Sequence, residues 1–215
     1  MRDLFTPLAI LSCALLPLAG CKIVKNPDPE AATTEAAGTT DEARMAAYAK
    51  DIWADKVLPV VSEHAVPLTE LRAKVATEGL EPAGAAYGLR PEGEANPWNF
   101  AATGEGVIIE ANTASRAAKL MVDTDADGAA DVTLQLGPVI RGTALRDAMP
   151  FLTFTDFRDQ IEFAKLARAL NDLANAAITL PEGDLVGKTA SFEGVFTLRN
   201  KGDAIELVPT RLAVK

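Results

Sequence analysis

The chain has 215 residues, 48% of them hydrophobic, with a net charge of −9 and a pI near 4.7. That length holds one sizeable domain or two small ones, and the apolar fraction supplies a core. An acidic surface repels phosphate backbones and excludes nucleic acid as a partner. One histidine (His64) and two cysteines (Cys13, Cys21) are too few for a Cys/His zinc site.

The chain begins MRDLFTPLAILSCALLPLAGC. Arg2 gives a positive start, and Leu8 to Leu18 is an apolar stretch of signal-peptide length, too short to span a bilayer. Leu18-Ala19-Gly20-Cys21 resembles the bacterial lipobox, which predicts cleavage after residue 20 and acylation of Cys21. Cys13 leaves with the signal, so no intramolecular disulfide is expected. Lys25 to Glu42 is rich in Ala, Thr, Pro and Glu without apolar periodicity, and reads as a flexible tether of about 25 Å mean span. Residues 1–20 are thus a lipoprotein signal peptide, 21–42 the lipidated cysteine and tether, and 43–215 one globular domain.

Within that domain, helices are expected over 43–79. Thr39 and Glu42 fit a capping box, and Met45, Tyr48 and Ile52 share a helical face that Pro59 should end. A second helix starts at Pro67, carries Leu68, Leu71 and Val75, and stops at Gly79. His64 lies between the two and reads as a linker or packing residue. Residues 80–105, rich in Gly, Pro, Ala and Asn, read as a long connection that carries Trp98 and Phe100.

From Gly106 the apolar period becomes two. Val107, Ile109 and Ala111 alternate with Ile108, Glu110 and Asn112; Ala118, Leu120 and Val122 form a second strand; Val132, Leu134 and Leu136 form a third. A helix from about Phe157 to Ala177 follows, capped by Thr155 or Asp156, with Phe163, Leu166, Ala167, Leu170, Ala174 and Ala177 on its apolar face. Two strands close the chain, one through Ala190, Phe192, Phe196 and Leu198, the other from Ile205 through Val214 with an edge or bulge at Pro209. The order β-β-β-α-β-β predicts an α+β fold: an OB-like five-stranded antiparallel barrel over 106–215, preceded by the N-terminal helices. Another α+β fold with a meandering antiparallel sheet is the alternative.

Between the second and third strands lies DTDADGAAD. Asp123, Asp125, Asp127, the carbonyl of Ala129 and Asp131 have the spacing of a calcium loop, with Gly128 at the bend. The twelfth position is Leu134, a core residue, so the pattern is that of a calcium-clasped β-hairpin rather than an EF-hand. A solvated acidic turn is the competing reading. After the third strand, GPVIRGTALRDA carries Arg141, Thr143, Arg146 and Asp147. One reading is structural, with Thr143 as a cap and Arg146 paired to Asp147 or Asp159. The other is a ligand site in which Arg141, Thr143 and Arg146 hold a carboxylate or sugar hydroxyls beside a stacking face on Trp98 and Phe100.

The lipobox CKIVKNPDPE, the run GEGVIIEANTASRAAKLMVDTDADGAADV, the segment GPVIRGTALRDA and the helix DQIEFAKLARALNDL resemble the predicted periplasmic lipoproteins of domain-of-unknown-function family 2291. The resemblance covers nearly the whole mature chain and is most specific in GPVIRGTALRDA. It implies a lipid-anchored envelope protein facing the periplasm, and a role near carbohydrate uptake, since such proteins are often encoded beside sugar ABC transporters. It implies no catalytic residue. The expected function is therefore a non-catalytic binding or accessory module that holds a saccharide or a transporter component. The alternatives are a structural lipoprotein stapled by calcium and a cryptic carbohydrate hydrolase, for which no carboxylate pair stands out.

Overall fold

The computed structural model describes residues 40–91 and 97–215; the signal segment, Cys21, the tether through residue 38 and the predicted cap Thr39 lie outside the described residues. Helix α1 (Asp41–Ile52) is capped by Thr40, whose hydroxyl accepts from the Ala43 N–H at 3.2 Å. Met45 and Ile52 are buried on its inner face, with Ala49 between them. Pro59 does not stop the helical run, contrary to expectation. A π-helical turn at Trp53–Val57, with the Leu58 N–H bonded to the Trp53 carbonyl, widens the helix just upstream. Helix α2 (Leu58–His64) then restarts with Pro59 in its first turn, where no N–H is needed.

A two-residue strand β1 (Val66–Pro67) leads into α3 (Leu68–Glu78), which buries Leu68, Leu71 and Val75 and ends at Gly79 with φ 97°. Residues 80–105 are not one connection. They form α4 (Leu80–Tyr87), β2 (Gly88–Leu89) and the first half of a long strand, β3 (Trp98–Asn112). Gly84 and Gly88, part of the composition that read as a connection, are required by packing instead. A Cβ at either would lie 2.3 or 2.4 Å from the Trp98 indole.

The barrel consists of β3, β4 (Ala117–Asp123), β5 (Val132–Pro138), β6 (Thr189–Leu198) and β7 (Glu206–Val214), ordered β3-β4-β5-β7-β6 and closed by β6 pairing with β3. Four of these seams are antiparallel. The fifth is parallel, joining Thr133 to Glu206 and Leu134 to Leu207, so the wholly antiparallel barrel is corrected there. The reason is topological: the hairpin from β6 brings β7 back along the direction of β5. This strand order is that of an OB-fold.

Burial follows the expected alternation in β4 and β5, where Ala118, Leu120, Val122, Val132, Leu134 and Leu136 point inward. In β3 a bulge between Ile108 and Glu110 shifts the phase. Ile108 is fully buried and Val107 is 43% exposed, whereas Ala111, beyond the bulge, packs on the core. Pro209 sits at a bulge in β7, as expected. Glu193 pairs with Arg211 and Gly194 with Pro209, which leaves Thr210 as the extra residue.

Gly137 (φ 82°), a cis Gly137–Pro138 bond and Gly142 (φ 85°) turn the chain out of β5 toward the short helix α5 (Ala144–Asp147). Helix α6 (Gln160–Ala177) begins three residues later than expected. Asp159 is its cap, accepting from the Glu162 N–H at 2.8 Å, while Asp156 closes a 3-10 turn with Thr153. Leu166, Ala167, Leu170 and Ala174 form its buried face. An ion network joins α6 to α1: Glu162 bonds Arg44, Arg158 reaches Asp41 at 2.6 Å, and Lys165 reaches Glu42 at 2.9 Å. Two apolar clusters result, one of α3 and α4 with the barrel interior, the other of α1, α2, α5 and α6 against Ala101, Val195 and Val208.

Candidate functional site

The acidic hairpin joins β4 to β5. Asp123, 6% exposed, organises it: its carboxylate accepts the N–H groups of Ala126 at 2.7 Å, Gly128 at 2.8 Å and Asp125 at 3.1 Å. The Gly128 N–H first, then those of Ala126 and Asp125, hold this carboxyl below the usual carboxylate range. Asp131 accepts from the Thr124 N–H at 2.7 Å and its hydroxyl at 2.6 Å. Oxygens of Asp123, Asp125 and Asp131 all lie within 4.8 Å of one another. Asp127 stands outside that trio, with its carboxylate turned to the Ala129 N–H at 2.7 Å.

The cation that faces this cluster is Arg72 on α3, whose single charge offsets part of it. Its Nη1 lies 2.6 Å from Asp131 and 3.3 Å from Asp125. Sequence reasoning missed this residue. It lies 53 positions before Asp125, and nothing local to α3 marks it as the hairpin's partner.

Three of the four residues expected to bind a ligand, Arg141, Thr143 and Arg146, line one cavity of about 850 Å³. It opens among the end of β5, α5, the start of α6 and the β6–β7 loop, and Asn99, Gln135, Phe154, Phe163 and Arg199 share its walls. Arg146 is committed to the protein. It holds Asp147 at 2.6 Å, donates to the Phe163 carbonyl at 3.1 Å and stacks 3.7 Å over the Phe163 ring. The Thr143 hydroxyl also binds Asp147 rather than capping α5. Arg141 is different. The Gln135 amide grips its backbone, accepting from its N–H at 2.8 Å and donating to its carbonyl at 3.2 Å, whereas its guanidinium has no partner among the described residues. Asn99, 1% exposed, is fixed by the Thr197 hydroxyl at 2.6 Å and by the Leu89 carbonyl at 3.3 Å, which makes that wall rigid. Phe154, 41% exposed, meets Phe163 edge-on and is the accessible aromatic of the cavity.

Trp98 does not join Arg141, Thr143 and Arg146. Its indole packs on Gly84 and Gly88, lies under the Arg90 guanidinium at 3.6 Å and donates to Glu81 at 3.2 Å. Phe100 is fully buried against Phe196, with ring centroids 5.8 Å apart, so neither ring offers the expected stacking face. His64 ends α2 with Nδ1 2.9 Å from the Val60 carbonyl, a local contact.

A family model described as "Predicted periplasmic lipoprotein (DUF2291)" matches residues 11–213. No curated protein matches the chain. Among solved structures, an OB-fold protein from Thermotoga maritima is similar, with 22% identity and a TM-score of 0.59 over 80% of this chain and 98% of that one. At that identity the likeness speaks for the fold alone.

Proposed function

This chain belongs to the DUF2291 family of predicted periplasmic lipoproteins, and from that premise we propose that it is a non-catalytic accessory module which binds a saccharide beside a sugar ABC transporter. The supporting observation is the cavity of about 850 Å³ on which Arg141, Thr143 and Arg146 converge. Its size is that of small-molecule sites, it has polar walls, and it offers the guanidinium of Arg141, which has no partner among the described residues, and one accessible ring, Phe154. Arg146, Asp147 and Thr143 satisfy one another, so they shape the wall, and Arg141 makes the contact.

A thermal-shift and calorimetric screen of mono- and disaccharides tests this, with the full lipoprotein held in a detergent free of sugar groups. At least one saccharide binds, and Arg141→Ala weakens it tenfold or more while the melting temperature stays within about 2 °C, since surface substitutions away from special features rarely exceed ~0.5 kcal/mol. A screen in which nothing binds overturns the reading and leaves a structural envelope lipoprotein.

The convergence of Asp123, Asp125 and Asp131 supports calcium as a staple of the β4–β5 hairpin. An ion there balances the charge that Arg72 only partly offsets and locks the turn without touching the cavity. With affinity on the order of 10⁻⁴ to 10⁻³ M, millimolar calcium raises the melting temperature by mass action, and Asp123→Asn abolishes the rise. An unchanged melting temperature in calcium would sink this part of the proposal.

A further inference from the structure

The cavity of about 850 Å³ is bordered by a second guanidinium in the same condition as that of Arg141. Arg199 follows directly on β6 and lines the cavity from the β6–β7 loop, whereas Arg141 lines it from the turn between β5 and α5. Both residues are exposed, and neither guanidinium has a hydrogen-bond or ion-pair partner among the described residues. Their backbones, by contrast, are held. Gln135 grips that of Arg141, and the Arg199 N–H donates to the Asp203 carboxylate at 2.9 Å.

The carboxylates of the same lining are Asp147, Asp203 and Glu206, and they are not equally available. Asp147 is taken by Arg146 and by the Thr143 hydroxyl. Asp203 is spent on its own loop, accepting from the Arg199 and Asn200 N–H groups at 2.9 Å each and from the Asn200 amide at 3.3 Å. Those backbone N–H groups, that of Arg199 first, hold its carboxyl below the usual carboxylate range, and the Arg199 charge adds a smaller share. Glu206 starts β7 in an exposed position, and its carboxylate has no hydrogen-bond or ion-pair partner among the described residues.

Resting on the saccharide reading of this cavity, we infer that the sugar it takes is acidic: a uronate whose carboxylate is held by Arg141 and Arg199 and whose ring hydroxyls donate to Glu206. A guanidinium offers donors only, in a planar fork. A carboxylate meets that fork with two parallel bonds, which a hydroxyl, with one oxygen, does not. A phosphate carries a second negative charge, which Glu206 and Asp203 in the same walls repel, so the balance of the lining favours a monoanion. Phe154, the accessible ring, is left for the apolar face of the sugar. The chain as a whole carries a charge of −9 and repels anions at a distance, so diffuse attraction does not supply affinity for a uronate.

Calorimetry on the full lipoprotein, in a detergent free of sugar groups, tests this with glucuronate, galacturonate and mannuronate, each beside its parent hexose and the matching hexose 6-phosphate. At least one uronate binds about tenfold or more tighter than its hexose, as a charged pair in place of a neutral one implies. That preference shrinks as salt is raised. Arg199→Ala and Arg141→Ala each remove most of the preference at an unchanged melting temperature, because the bonds that hold both turns are made by the backbone. The hexose 6-phosphate binds more weakly than the uronate. Hexoses that bind as tightly as their uronates overturn this inference and leave the saccharide reading standing, whereas binding by none of the probes removes both. A folded Arg199→Ala protein that keeps the full preference overturns the shared grip. A 6-phosphate that binds more tightly than the uronate overturns the carboxylate.

Discussion

Phe196→Ala lowers the stability of the folded domain by about 3–5 kcal/mol, the range for removing a large buried aromatic. Phe196 is fully buried and leans on Phe100 with centroids 5.8 Å apart. It also shares a core with the helical half of the molecule, because Leu68, Leu71 and Val75 of α3 belong to the same cluster as Phe196 and Leu198. Truncation opens a void in the core that both share. Collapse around the void is limited on one side by the paired backbones of β3 and β6, in which Phe100 lies opposite Phe196. For a domain of this size the loss corresponds to about 10 °C in melting temperature. Phe196→Leu retains most of the volume and loses ~1.5 kcal/mol or less. Chemical denaturation of both variants checks the ranking. Equal stabilities would mean that α3 and the barrel do not share a core.

The second large effect is on location. On the lipobox reading, Cys21→Ser removes the only thiol that cleavage after residue 20 would leave, and with it the expected acceptor for the acyl chains. Buried methylenes contribute ~0.8 kcal/mol each, and two or three chains make anchoring effectively stable where one would be marginal. Among the described residues no helix is long and apolar enough to cross a membrane. The variant therefore fails to incorporate radiolabelled fatty acid and persists as a larger, uncleaved precursor. Membrane fractionation and intact mass measurement read both changes. A Cys21→Ser protein of mature mass, labelled with lipid, would refute acylation at this residue.

The local pattern made much of the fold legible. Alternation in β4 and β5, the apolar stripe of α6, the stop of α3 at Gly79 and the bulge at Pro209 were all readable, because each depends on neighbours within a few residues. The misreadings share one cause. Gly84 and Gly88 signal a loop by composition, yet they make room for an indole ten or more residues away. Pro59 signals a stop, yet a π turn upstream lets the helix resume. The phase of β3 depends on a bulge set by its pairing with β4.

The candidate site divides along the same line. Asp123, Asp125 and Asp131 were legible because a hairpin keeps its own carboxylates together. Asp127, at the same spacing, turns away to a backbone N–H. Arg141 and Arg146 were legible as a pair, and so was the pairing of Arg146 with Asp147, but only packing adds the Phe163 carbonyl and ring to Arg146 and leaves the Arg141 guanidinium without a partner among the described residues.

By itself the sequence determined the export and lipid-anchoring signal, the strand–helix order of an OB-fold and the acidic hairpin, since short-range periodicity and motif spacing encode them. The tertiary structure decided that Trp98 is structural, that Arg72 pairs with the hairpin's carboxylates and that Arg146 is held against Phe163. These depend on contacts between residues far apart in the chain, where burial and hydrogen-bond completion are settled by packing and no local pattern records the partner.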